Sequence, residues 1–132
     1  DLLLGGAKLA GILIDASPKG SALEWLVIGI GVNLAAAPQI PGRATTSLAD
    51  HGIALGPQTA AAAILARIAQ WRYASPAAIR AAWLTHAHPP GTRLIVNDIE
   101  GRFAGLSPAG ELLLETAGQI KHFNTGNVAL GY

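Results

Sequence analysis

Two short stretches hold the residues best suited to chemistry. Lys8 opens an apolar run, Lys8-Leu9-Ala10-Gly11-Ile12-Leu13-Ile14-Asp15. A lysine beside glycine-containing backbone can hold a carboxylate or a phosphate as a point charge, although many lysines at strand ends are only solvated. Farther on, Gly29-Ile30-Gly31-Val32-Asn33 closes a second apolar run. Glycine has no Cβ, so backbone at Gly11, Gly29 and Gly31 can approach a ligand closely or accommodate a bulge. A dinucleotide fingerprint would need glycine at position 34 and a helix directly after it, but Leu34-Ala35-Ala36-Ala37-Pro38 follows. A bulged strand end with Asn33 starting a turn fits the spacing as well. His86 and His88 lack helical metal-ligand spacing and a third ligand nearby, and with no cysteine a thiolate site is excluded. There is no serine-nucleophile elbow, close carboxylate pair or basic-aromatic stripe.

These residues need elements to position them. The runs 8–15 and 24–32 read as two neighbouring antiparallel buried strands separated by a turn at Ser17-Pro18-Lys19-Gly20-Ser21. The prolines and glycines between 35 and 56 predict mostly loop, with one short helix near Ser47 to His51. Ile64, Leu65, Ile68 and Trp71 recur at helical spacing in an alanine-rich segment, so 58–71 should be a helix. Ser75-Pro76 supplies an N-cap and a first-turn proline for a second helix carrying Ile79, Ala82 and Trp83. That helix should end before Pro89-Pro90, which can extend neither helix nor ladder and sets the expected boundary between domains 1–88 and 89–132. Beyond it come strand-sized pieces at 93–96, 102–106, 112–115 and 120–123, separated by turns at Asn97-Asp98, Ser107 to Gly110 and Ala117-Gly118. Such a meander predicts a very small β-barrel.

Hydrophobic residues make up 51% of the 132 and charged residues 13%, against about 25% charged in ordinary soluble domains. Lys8, Asp15, Lys19 and Glu24 interrupt the N-terminal apolar stretch, so no membrane span is expected. The surplus apolar surface is instead expected to pack against protein outside this chain, which, with the absence of methionine, makes the chain read as a piece of a larger protein. A formal net charge of +1 gives no footprint for nucleic acid. The lack of cysteine suits a reducing cytoplasm.

Taken in order, Asp1-Leu2-Leu3-Leu4, Lys8 to Leu13, Ile28-Gly29-Ile30-Gly31-Val32-Asn33-Leu34, Ala44-Thr45-Thr46-Ser47-Leu48 and Gly105 to Leu114 resemble the biotin protein ligases. Lipoate ligases share the core fold and resemble the lysine-to-asparagine block less well. The resemblance implies an α+β chain: the C-terminal half of a biotin/lipoate-ligase-type catalytic domain, a mixed sheet with helices, followed by a small Src-homology-3-like β-barrel. It implies activation of biotin by ATP as biotinyl-AMP, with Mg2+, and transfer to a lysine of the biotin carboxyl carrier protein of acetyl-CoA carboxylase. Lys8 would be catalytic and would touch biotin. Gly11, Ile12, Leu13, Gly29 and Gly31 would line the biotin pocket. Asp1, Lys19 and Asn33 would serve ATP, Asn33 at the adenine edge. No metal ligand in the chain is assigned, a homodimer is left open, and the piece alone is expected to be inactive. Asn127 after Gly126, and Gly131, depart from the acidic residue and arginine frequent in that family, which puts a C-terminal contact to ATP in doubt. The reading from a different class is a non-enzymatic ligand-binding or interaction module.

Overall fold

The computed structural model describes residues 1–20 and 22–131. It has a mixed helix-and-sheet fold that divides into two compact units, Asp1–Ala66 and Arg67 onward.

In the first unit, β1 (Leu2–Leu4), β2 (Ala7–Lys19) and β3 (Ala22–Val32) form an antiparallel sheet in that order. The antiparallel pair expected from the two apolar runs is present, but longer. Ladder pairing continues past Asp15↔Val27 to Lys19↔Ala22, so the stretch expected as a turn is largely strand. Ser21 of that stretch lies outside the described residues. Pro18 is tolerated because the register slips between Ser17 and Pro18, where a proline without an N–H does least harm to the ladder. The expectation of burial is corrected: Ile12, Leu13 and Ile14 are 48%, 75% and 60% exposed, and Leu26, Val27 and Ile28 are similarly bare. Adjacent residues on a strand point to opposite faces, so both faces of the hairpin are uncovered in this chain. An apolar surface of this kind is what a sheet shows when its covering layer is missing.

After β3 the chain is loop to residue 48, then a 3-10 turn at Ala49–His51, close to the short helix expected there. α1 runs Pro57–Trp71, as its spacing predicts.

The second unit carries α2 (Pro76–Leu84), capped by Ser75, whose hydroxyl accepts from the Ala78 N–H at 3.2 Å, with proline in the first turn. β4 (Arg93–Val96), β5 (Ile99–Leu106), β6 (Leu112–Thr116), β7 (Gln119–Phe123) and β8 (Val128–Leu130) form a sheet in the order β7-β6-β5-β4-β8. Its core is Leu94, Val96, Phe103 and Leu114, every one under 5% exposed. Trp83 of α2 meets Phe103 edge-to-face, ring centroids 6.3 Å apart. Asn97 and Asp98 both take positive φ, the geometry of a two-residue hairpin turn, as that dipeptide predicts. Two three-residue strands, β1 and β8, were not anticipated. Among the described residues no helix is long and apolar enough to cross a membrane.

Candidate functional site

The site lies within the first unit, where the ends of β2 and β3 meet the loop that follows. Gly11 and Gly31 are direct partners across the β2–β3 ladder, and Ala10 pairs with Val32. The loop returns beside them because Lys8 and Thr45 form a parallel bridge. The Lys8 N–H donates to the Ala44 carbonyl at 2.9 Å, and the Thr46 N–H donates to the Lys8 carbonyl at 2.9 Å. A cavity of about 360 Å³ results, lined by Lys8, Gly11, Gly31 and Asn33 from the sheet side and by Pro38, Ile40 and Thr45 from the loop, among others. A space of that size suits a small organic ligand.

The loop wall has its own construction. Pro41-Gly42 sits at the centre of a tight turn closed by Arg43 N–H to Ile40 C=O at 3.1 Å. Gly42 has φ 72°, which a turn with proline at its second position and a left-handed third residue requires. The Thr45 hydroxyl donates to the Pro38 carbonyl at 2.7 Å. Behind the loop, Ser47 is fully buried. The Asp50 carboxylate accepts from the Ser47 N–H at 2.8 Å and from the Thr46 hydroxyl at 3.4 Å. These bonds, led by the Ser47 backbone donor, hold the Asp50 carboxyl below its ordinary 3.8.

Asn33 ties sheet to loop. Its side-chain Nδ2 donates to the Lys8 carbonyl at 3.3 Å and to the Thr46 carbonyl at 3.0 Å, while its backbone bonds Leu9 and Leu48. Both amide protons are therefore spent on backbone. Oδ1 is the part of the side chain left to accept from a ligand.

Lys8 Nζ stands 2.8 Å from Asp1 Oδ1, and Arg43 Nη2 pairs with the other oxygen, Asp1 Oδ2. A Cβ at Gly11 would lie 3.4 Å from Asp1 Oδ1 and 3.5 Å from Lys8 Nζ, so the bare backbone there borders the ion pair directly. Lys8, Gly11, Gly31, Asn33 and, through its ion pair, Asp1 are thus brought together. Ile12, Leu13 and Gly29 lie farther along the hairpin and do not line the cavity. Lys19 is at the distant end of the hairpin, paired with Glu24 at 3.4 Å. Arg43, Pro38 and Ile40 were not singled out from sequence. Their only advance signal is the Pro-Gly turn, which marks a loop without saying what it faces.

Among the described residues no group of three or more metal-ligating side chains is present. Asp1 is the carboxylate at the cavity, and both its oxygens face cations. That donor set does not fit a resident magnesium ion, which takes oxygen ligands in octahedral geometry.

Residues 93–131 match the model of the biotin protein ligase C terminal domain. A biotin--[acetyl-CoA-carboxylase] ligase of Paracoccus denitrificans is 34% identical over 129 residues, covering 86% of this chain and 53% of that protein. The chain is similar along most of its length to biotin protein ligases, its last third to their C-terminal domain. A second such ligase, from Mycobacterium tuberculosis, is 32% identical and covers 97% of the chain and 50% of itself. The chain spans about half the length of the curated relatives it matches. The biotin protein ligase of Aquifex aeolicus in complex with biotin and ATP has the same fold, with a TM-score of 0.73 at 22% identity over 97% of this chain and 57% of that one.

Proposed function

We propose that the intact gene product activates biotin with ATP to biotinyl-AMP and transfers the biotinyl group to a lysine of the biotin carboxyl carrier protein of acetyl-CoA carboxylase, in the cytoplasm. The observation that carries this reading is the Lys8 ammonium at a cavity floored by Gly11 and Gly31, with Asn33 on its rim. In the first step a biotin carboxylate oxygen attacks the α-phosphorus of ATP, the α–β bond breaks and pyrophosphate leaves. Two anions must approach each other, and negative charge gathers on the phosphoryl oxygens. A lysine ammonium beside both offsets the repulsion and stabilises the developing charge. In the second step the carrier amine attacks the acyl carbon and AMP departs with the bonding electrons.

On this reading Lys8 is the catalytic cation and also touches the biotin carboxylate. Gly11 and Gly31 belong to the biotin side, while Gly29, Ile12 and Leu13, beyond the cavity on the same hairpin, are given no contact. Asn33 accepts from the adenine amino group through Oδ1 and Asp1 serves the nucleotide, whereas Lys19, at the distant end of the hairpin and paired with Glu24, is given no part. Magnesium arrives with the nucleotide phosphates, not on a site of this chain. Residues 1–88 then complete the catalytic domain and 89–132 are the small Src-homology-3-like barrel, a division supported by the C-terminal-domain match starting at residue 93. The 132 residues alone should not turn over. The cavity is walled only by two strands and one loop, and the hairpin faces are bare, so the reactants are not fixed in attack geometry.

The test is biotin-dependent pyrophosphate release from ATP by the intact gene product, followed by labelling of a biotin carrier domain. Release with biotin supports the reading. Release only with lipoate or octanoate would move the protein to the lipoate ligases, and binding without release would make it a non-enzymatic binder.

A further inference from the structure

We propose that Arg43 is a positioning residue that acts through Asp1 to keep the Lys8 site net cationic for an anionic nucleotide; the inference rests on the ligase reading above. Lys8 alone with Asp1 would be a neutral pair, its ammonium 2.8 Å from a carboxylate oxygen and its charge largely cancelled toward an incoming anion. Arg43 takes the second oxygen of the same carboxylate. With Lys8 and Arg43 each positive and Asp1 negative, the cluster carries a formal charge of +1, and without Arg43 it carries none. Because Arg43 retains Asp1, Lys8 can turn from the carboxylate toward a phosphate oxygen without leaving Asp1 unpaired beside the ligand.

The alternative, that the Arg43–Asp1 pair merely fastens the loop, is poorly supported by the geometry. The loop is already held by the Lys8 N–H to Ala44, the Thr46 N–H to Lys8, the Asn33 side chain to Thr46 and the Thr45 hydroxyl to Pro38. Both partners of the Arg43–Asp1 pair are partly exposed, and exposed ion pairs contribute little to stability. The Pro41-Gly42 turn fixes the backbone of Arg43 between Ile40 and Thr45, which line the cavity, and a guanidinium suits a carboxylate better than an ammonium does.

The experiment compares the intact wild-type protein with Arg43→Gln and Arg43→Lys, reading KM for ATP and kcat from biotin-dependent pyrophosphate release at low and high salt. Arg43→Gln should raise KM for ATP about three- to tenfold at low salt with kcat within about twofold. It should also flatten the salt dependence of that KM. Arg43→Lys, which keeps the charge, should recover most of the loss, and the flattened salt dependence of KM with kcat nearly unchanged separates this from a loop-fastening ion pair, which would move stability and kcat instead. An unchanged KM in Arg43→Gln, or a lysine variant as impaired as the glutamine one, overturns the inference while an active wild type leaves the ligase reading standing. A wild type with no biotin-dependent release overturns the ligase reading itself, and this inference with it.

Discussion

Asn33 Nδ2 donates to the Thr46 carbonyl at 3.0 Å, a bond that joins the end of β3 to the loop forming the opposite wall of the cavity. A second bond from the same nitrogen reaches the Lys8 carbonyl. The side chain therefore holds the cavity's shape as well as offering Oδ1 to a ligand. Asn33→Ala loses both bonds and leaves two carbonyls underused, which should cost about 1–2 kcal/mol. Asn33→Asp should cost more, because its carboxylate oxygen would face two carbonyl oxygens. Denaturant unfolding of the intact protein checks the order, and an aspartate variant as stable as wild type would remove Asn33 from the clamp.

Gly31 separates ligand space from folding. It lines the cavity, and a Cβ there would meet nothing within 4 Å. Gly31→Val should therefore occupy ligand space without a clash, lowering biotin affinity at least about tenfold while the unfolding midpoint stays near wild type. Calorimetric titration with biotin, paired with a melting curve, reads both. Wild-type affinity in the variant would put the ligand elsewhere.

Asp50 gives a pH signature. Its carboxyl is held below 3.8, first by the Ser47 backbone N–H and then by the Ser47 side chain. A carboxylate with a lowered folded value stabilises the fold at pH above its unfolded value, and that contribution is lost as pH falls through the lower folded value. The Ser47 N–H should thus stay protected from hydrogen exchange above about pH 4 and lose protection, relative to neighbouring amides, as the pH drops below that. In Asp50→Asn the acid-dependent part should vanish. Identical acid profiles in the two proteins would mean the carboxylate is not what holds the loop.

Much of the fold was legible where the pattern is local. α1 and α2 followed from spacing and from the Ser75-Pro76 cap, and the strands of the second unit followed from their turns. β1 and β8 escaped because three apolar residues carry no period. The extension of β2 through Pro18 escaped because a register slip depends on the partner strand. Exposure of the hairpin contradicted the expected burial, since an apolar run reports what a strand needs and not what covers it. In the site, Lys8, Gly11, Gly31 and Asn33 fall in two short stretches that the sequence marks. Arg43 did not stand out, because its partner Asp1 is 42 positions away and only the fold joins them.

The most direct measurement of the central claim is Lys8→Ala in the intact protein, following pyrophosphate release at saturating biotin and ATP and, separately, biotin affinity by calorimetry. A cation that acts mainly on charge developing in the transition state should cost about a hundredfold or more in turnover and much less in biotin binding. Turnover equal to wild type would contradict the account, because the ammonium at the mouth of this cavity would then have no part in the chemistry.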